Sequence, residues 1–204
     1  MHRTHAVIAI VVVACAPMLA QSPAPSEYGK LLAQLRAGDT GVDFQKLRFS
    51  FRDSPEAKIA RDTDSQKKAM IAAINGRRFE DALKNANAVL ESEYVDIDAH
   101  FAAYIAHREL HHDGPAAFHN AVFTGLLKSI TGSGDGRSKE TAFVVINTHE
   151  EYVLLRFLGL TPVKQSLLQE GGHSYDEMEA RNPETGEERT LYFNVDISMK
   201  HFGI

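Results

Sequence analysis

The chain has 204 residues, of which 22 are basic and 27 acidic, so its formal net charge is −5. This length suits one domain with a sizeable core, or at most two small domains packed tightly together, and we favour one. No basic cluster is longer than a pair such as Lys67-Lys68 or Arg77-Arg78. Nucleic acid is excluded as a partner, because binding it requires a basic stripe that neutralises phosphates.

The first 20 residues have the layout of a secretory signal peptide. Arg3 precedes an apolar run from 6 to 14, and small residues follow up to Ala20. Cleavage after Ala20 would remove Arg3 and leave 21 basic against 27 acidic residues, a net charge of −6. The run is shorter than the roughly 20 apolar residues of a transmembrane helix, and no other run approaches that length. We therefore predict an exported protein, periplasmic or secreted, with no transmembrane helix.

A lipoprotein signal is the alternative reading of the same segment. The residues Val12-Val13-Ala14-Cys15 look like a lipobox, and Cys15 is the only cysteine in the chain. Lipid attached there would tether the mature protein to a membrane. We place this anchor second, because apolar residues continue after Cys15. Cleavage after Ala20 would leave no thiol, which excludes disulfides, thiol catalysis and zinc ligation by cysteine.

The spacing of apolar residues predicts helices over most of the first two thirds of the chain. After a flexible leader at 21–26, we expect a single α+β domain over 27–204, with a helical half at 27–131 and a sheet half at 132–204. Asn75-Gly76 is predicted to end one helix and Pro115 to open another. Helical periodicity covers 28–35, 44–51, 70–74, 79–90, 96–111 and 115–130. The weak echo between two of the helical hairpins indicates tetratricopeptide-like packing, although only about two units are present.

The sequence pattern in the last third of the chain predicts a small, mostly antiparallel sheet with one strand-helix unit. The apolar run 142–146 indicates a buried strand, followed by a helix at 148–158. A capping box would join Thr148 to Glu151, with Gly159 ending the helix. Further strands are expected at 163–169 and 173–181, and a strand with alternating burial at 189–197, preceded by a turn at 182–186.

Several short motifs resemble one known family, domain of unknown function 4919. The likeness covers residues 28–197 and is most specific over 126–176. It implies an exported bacterial protein with helices followed by a sheet, and it assigns no catalytic or binding residues. The motifs are Ser129-Ile130, Ser133-Gly134-Asp135-Gly136, Glu140-Thr141-Ala142, Glu150-Glu151-Tyr152, Gln165-Ser166, His173-x-Tyr175-Asp176 and Leu191-Tyr192-Phe193.

The glycine-rich loop at 132–138 is the first candidate site. Its backbone N–H groups could form an anion nest for a phosphate or carboxylate. The loop fails the tests for a Walker A motif and for an EF-hand, because the lysine and the acidic partners are missing. The alternative is a plain connection whose glycines supply positive φ angles. The candidate ligand-binding residues are Ser133, Gly134, Asp135, Gly136 and Arg137.

Acidic and histidine side chains supply the remaining candidates. A catalytic role is considered for Asp135, Glu150, His173 and Asp176, and Glu150 is preferred over Glu151 because Glu151 is expected to cap a helix. His107 and His111 form the only i, i+4 histidine pair suited to a metal. Helix-surface histidines are the simpler interpretation of this pair, and we predict no metal and no cofactor.

No complete catalytic constellation is present, so the sequence favours a non-catalytic binding or interaction module of the cell envelope. Helical hairpins typically offer a groove for a protein or peptide partner, which is an argument from fold analogy. The alternative is an envelope hydrolase that uses the 132–138 loop and nearby acids. The sequence leaves open whether the protein is an enzyme.

Overall fold

The computed structural model describes residues 24–200. Within this range nine helices accompany a four-stranded sheet, and the fold is α+β as predicted. The elements are α1 Glu27–Arg36, α2 Phe44–Arg52, α3 Pro55–Lys58, α4 Asp64–Asn75, α5 Phe79–Ser92, α6 Ile97–Glu109, α7 Asp113–Thr131, β1 Phe143–Val144, α8 Thr148–Phe157, β2 Thr161–Glu170, β3 His173–Arg181, β4 Glu188–Asn194 and α9 Asp196–Met199.

Helices α4 to α7 pack in succession, α4 on α5, α5 on α6 and α6 on α7. Alanines such as Ala86 and Ala103 are fully buried here, and their small side chains allow the helices to approach closely. The predicted end of a helix at Asn75-Gly76 is confirmed, because α4 ends at Asn75 and Gly76 is its C-cap, but the predicted start of a helix at Pro115 was wrong. The left-handed residue after α4 is Arg77, with φ 55°, whereas Gly76 has φ −85°. Helix α7 begins at Asp113, so Pro115 is its third residue. The tetratricopeptide likeness stays a prediction.

The sheet has the strand order β1-β4-β3-β2. Strand β1 runs parallel to β4, with Phe143 opposite Phe193, and the other two pairings are antiparallel. The sheet is therefore mostly antiparallel, as expected. The observed strand β1 is shorter than the strand predicted at 142–146. The N–H of Ala142 donates back to the carbonyl of Lys139 in the preceding loop, and only two residues pair with β4.

One large hydrophobic cluster joins the helices to the sheet. It contains Leu47 of α2, Leu126 of α7, Leu154 of α8 and Phe193 of β4, all buried. Burial alternates along β4 as the sequence pattern predicts, since side chains on one face of a strand point toward the helices. The predicted last residue of that pattern, Ile197, belongs instead to α9.

No helix within residues 24–200 is long and apolar enough to cross a membrane. The predicted signal peptide and the alternative lipid attachment site at Cys15 lie outside the described residues.

Candidate functional site

The first turn of α8 brings two adjacent acids, Glu150 and Glu151, into the interior. Asn147 caps this helix, because its side-chain oxygen accepts a hydrogen bond from the N–H of Glu150 at 3.0 Å. The predicted capping box from Thr148 to Glu151 was wrong. Its register is one residue late, and Thr148 is the exposed first residue of the helix.

Glu150 forms a buried ion pair with Arg48 of α2. Nε of Arg48 donates to Oε1 of Glu150 at 2.8 Å, and Nη2 contacts Oε2. The same guanidinium donates to the hydroxyl of Ser129 at 3.0 Å and to the carbonyl of Val144 at 3.1 Å. The N–H of Ile146 completes the site by donating to Oε2 of Glu150 at 2.9 Å. This pair ties together α2, α7, β1 and α8, and its two side chains are 0% and 4% exposed.

Glu151 is also fully buried, but it faces another acid. The carboxamide of Gln165 donates to Oε2 of Glu151 at 3.2 Å and to Oδ2 of Asp176 at 2.6 Å, and it accepts from the hydroxyl of Tyr152. Burial, followed by the negative charge of Asp176 and then of Glu150, raises the pKa of Glu151 to about 9. Glu151 is therefore a neutral carboxylic acid near neutral pH, and its predicted capping role was wrong.

The loop at 132–138 is held by hydrogen bonds within itself and to Thr141. The N–H groups of Asp135 and Gly136 both donate to the carbonyl of Thr141, at 3.0 and 2.8 Å. The N–H of Arg137 donates to the carboxylate of Asp135 at 3.1 Å. A Cβ at Gly134 would lie 2.2 Å from the carbonyl oxygen of Thr141, so this position requires glycine. Three N–H groups considered for an anion nest are thus engaged within the protein.

Ser133, the remaining loop candidate, also has structural partners. Its hydroxyl donates to the carbonyl of Ile130 at 2.6 Å and accepts from the N–H of Val144 at 2.8 Å. Arg137 is the most open member of the loop, with 86% of its side chain exposed and only an ion pair to Asp135 at 3.7 Å. A ligand-binding role for this loop stays a prediction.

The four candidate catalytic residues have separate partners. Asp135 accepts from the loop, Glu150 pairs with Arg48, and Asp176 accepts from a glutamine. His173 is exposed, and its Nδ1 lies 2.7 Å from Oδ2 of Asp196. Among residues 24–200, no hydrogen bond or ion pair joins any two of the four.

The histidines of α6 and α7 form a chain of contacts. Nδ1 of His107 lies 3.2 Å from Nδ1 of His112, while His111 leaves the helix with φ 58°. His100 and His119 are in contact through their Nδ1 atoms at 3.0 Å, and burial lowers their pKa values to about 3 and about 4. In the part of the chain that the structure describes, no three histidine, cysteine or acidic side chains are arranged to hold a metal ion.

A groove lies between α4 and α6, and the residues that line it were not predicted from the sequence. Its volume is about 270 Å³, and six of its lining residues are apolar: Met70, Ile71, Ile74, Phe101, Ala102 and Ile105. Ile71 is 51% exposed, although Met70 beside it is buried. The sequence did not indicate this exposure, because Met70, Ile71 and Ile74 fit a single apolar stripe, and such a stripe is expected to face the core.

One end of the groove is charged. Nη2 of Arg156, on α8, donates to both carboxylate oxygens of Asp98 at 2.5 and 2.6 Å. Nε2 of His149 lies 3.1 Å from the same carboxylate. Burial acts to raise the pKa of Asp98, but the hydrogen bonds from His149 and Arg156 hold it below its usual value. Asp98 is thus an ionised carboxylate with two partners, while Arg156 is half exposed.

A family model described as Domain of unknown function (DUF4919) matches residues 21–202. The chain belongs to this family. The match confirms the resemblance found in the sequence. It covers all the residues that the structure describes, including the buried acids and the groove. Among curated proteins and among solved structures, no significant match was found.

Proposed function

We propose that this protein is a non-catalytic binding module whose groove between α4 and α6 takes up a segment of a protein partner. The observation that carries the proposal is the apolar lining itself, in which an exposed isoleucine, Ile71, stands beside Ile74 and Phe101. Apolar surface that is rimmed by polar groups is typical of interaction sites. An apolar side chain of the partner would be removed from water here, which favours binding.

The size of the groove suits one or two side chains. Its volume of about 270 Å³ lies at the lower end of the range of roughly 300–1,000 Å³ that is usual for small-molecule pockets. A helix or extended segment that inserts one or two large aliphatic side chains fits this volume. When a helix binds in a groove, it inserts apolar residues that are three or four positions apart in its sequence.

The charge at the end of the groove selects among such segments. Asp98 already has two partners, Arg156 and His149, whereas the guanidinium of Arg156 is 52% exposed and carries five N–H donors in total. A carboxylate on the partner, one helical turn from the inserted aliphatic side chain, could bind Arg156. The proposed ligand is therefore a peptide segment that combines a large aliphatic residue with an acidic one.

We also propose that the module acts in the cell envelope, on the basis of the N-terminal pattern that ends at Ala20. The alternative of an envelope hydrolase has less support, because its four candidate residues have separate hydrogen-bond partners. The leading role therefore rests on the groove.

Peptide display against the purified chain tests this proposal. We expect selected peptides to carry an aliphatic and an acidic residue at helical spacing, and their affinity to fall about tenfold or more in Ile71→Glu, because a charge would replace buried apolar contact. Fluorescence anisotropy with a labelled peptide measures the dissociation constant.

Ile59→Glu is the matched control, since Ile59 is 80% exposed and does not line the groove. Its affinity should stay within about twofold of the parent chain. An equal loss of affinity in both variants would contradict the proposal. A failure to select any peptide whose affinity depends on Ile71 would also contradict it.

A further inference from the structure

Strand β2 is one of the two edge strands of the sheet that the structure describes. It pairs with β3 along Thr161–Glu170, and among residues 24–200 no strand pairs with its other side. Side chains along this strand are largely exposed, including Leu167 at 52%. An edge of ten residues presents unpaired backbone groups that favour pairing with another strand.

The register shows which backbone groups face outward. The N–H of Val195 donates to the carbonyl of Ser174, so the polar groups of Ser174 face β4. Because this orientation alternates along a strand, those of Tyr175 face β2, where the register partner is Leu168. The same alternation along β2 directs the backbone N–H and C=O groups of three residues away from the sheet: Gln165, Leu167 and Gln169.

We propose that β2 pairs antiparallel with β2 of a second copy of this chain, about a two-fold axis at Leu167. In this register Leu167 lies opposite its own equivalent, and Gln165 lies opposite Gln169 of the second copy. The outer members of the ladder are Lys164 and Glu170, which lie opposite each other and have opposite charges. Such cross-strand pairs stabilise antiparallel sheets. The strand is therefore self-complementary, which favours a second copy over an unrelated strand.

Two features that often prevent edge pairing, a proline and a register shift, lie outside this register. Pro162 and the register shift between Pro162 and Lys164 stand at the beginning of the strand. Proline removes an N–H donor and a bulge disrupts a ladder, but neither belongs to the segment from Lys164 to Glu170. The charges are also compatible, because Lys164 already pairs with Glu179 and Glu170 with Lys139 within one copy. Dimer formation would extend these two ion pairs into a network of alternating sign.

Sedimentation velocity over a concentration series tests the pairing. We expect the parent chain to dimerise reversibly. Leu167→Lys and Leu167→Glu should each weaken dimerisation about tenfold or more, because like charges would face each other at the axis. An equimolar mixture of the two variants should recover the dimer, since opposite charges then meet. Hydrogen exchange should show protection of the amides of Gln165, Leu167 and Gln169 on dimerisation.

Val163→Lys is the matched control, because Val163 is 54% exposed on the same strand but lies outside the paired segment. It should leave the dimerisation constant within about twofold of the parent value. A chain that stays monomeric up to about millimolar concentration would overturn the proposal and leave the edge to an unrelated strand. A dimer that persists in both Leu167 variants, or a mixture that fails to recover it, would also overturn the proposal.

Discussion

Glu150 and Glu151 are adjacent in the chain and both are buried, yet their carboxyl groups have opposite electrostatic surroundings. Glu150 faces the guanidinium of Arg48 and accepts a backbone N–H. Glu151 faces Asp176, the carboxamide of Gln165 donates to both acids, and Oε1 of Glu151 is buried without a hydrogen-bond partner among the described residues. Adjacent helical residues point about 100° apart, so the interior on each side decides whether a carboxyl is charged.

The largest effect is expected from Glu150→Gln. The substitution keeps the shape of the side chain but leaves the guanidinium of Arg48, which is 0% exposed, without its counter-charge. Breaking a buried pair from one side typically destabilises a protein by about 3–5 kcal/mol. Chemical denaturation at neutral pH measures this loss in the free energy of unfolding.

The double variant Arg48→Met with Glu150→Gln provides the control, because it removes both charges together. Replacing both members of a buried ion pair is often close to neutral, so the double variant should be more stable than Glu150→Gln alone. If Glu150→Gln unfolds at the same denaturant concentration as the parent chain, the assignment of Glu150 as the ionised partner is wrong.

Glu151→Gln should have the opposite effect and increase the free energy of unfolding. Glu151 keeps its proton up to a pKa of about 9 in the fold but loses it near 4.5 when unfolded. Between these values the unfolded state binds fewer protons, so the contribution of Glu151 to stability falls as pH rises. A neutral glutamine lacks this dependence, and we expect a gain on the order of 2 kcal/mol at pH 8.

Denaturation of both proteins at several pH values checks this prediction. The difference in unfolding free energy between Glu151→Gln and the parent chain should be smallest below pH 4.5 and should grow toward pH 9. A difference that stays constant over that range would mean that the carboxyl of Glu151 is ionised in the fold. Glu150→Gln serves as the matched substitution at the adjacent position.

Local patterns in the sequence were sufficient to predict much of the fold. The alternation in β4 and the end of α8 at Gly159, which has φ 69°, follow from contacts between near neighbours. The pairing of Arg48 with Glu150 could not be predicted in this way, because 102 residues separate the two. In addition, only the apolar residues of α2 were used to predict its buried face, so Arg48 was not expected there. The charge states of the two glutamates depend on such distant partners, so the sequence favoured the wrong role for Glu151.

The cap of α8 gives the smallest of the expected effects and tests how both glutamates are placed. Asn147→Ala removes the side-chain acceptor for the N–H of Glu150, and loss of such a cap typically costs about 1 kcal/mol of stability. Thr148→Ala, at the exposed position where the sequence suggested a cap, should change stability by less than about 0.5 kcal/mol. Thermal unfolding of the two variants compares these losses directly. A larger loss of stability in Thr148→Ala than in Asn147→Ala would show that Thr148 caps the helix, with Glu151 as its capping-box partner.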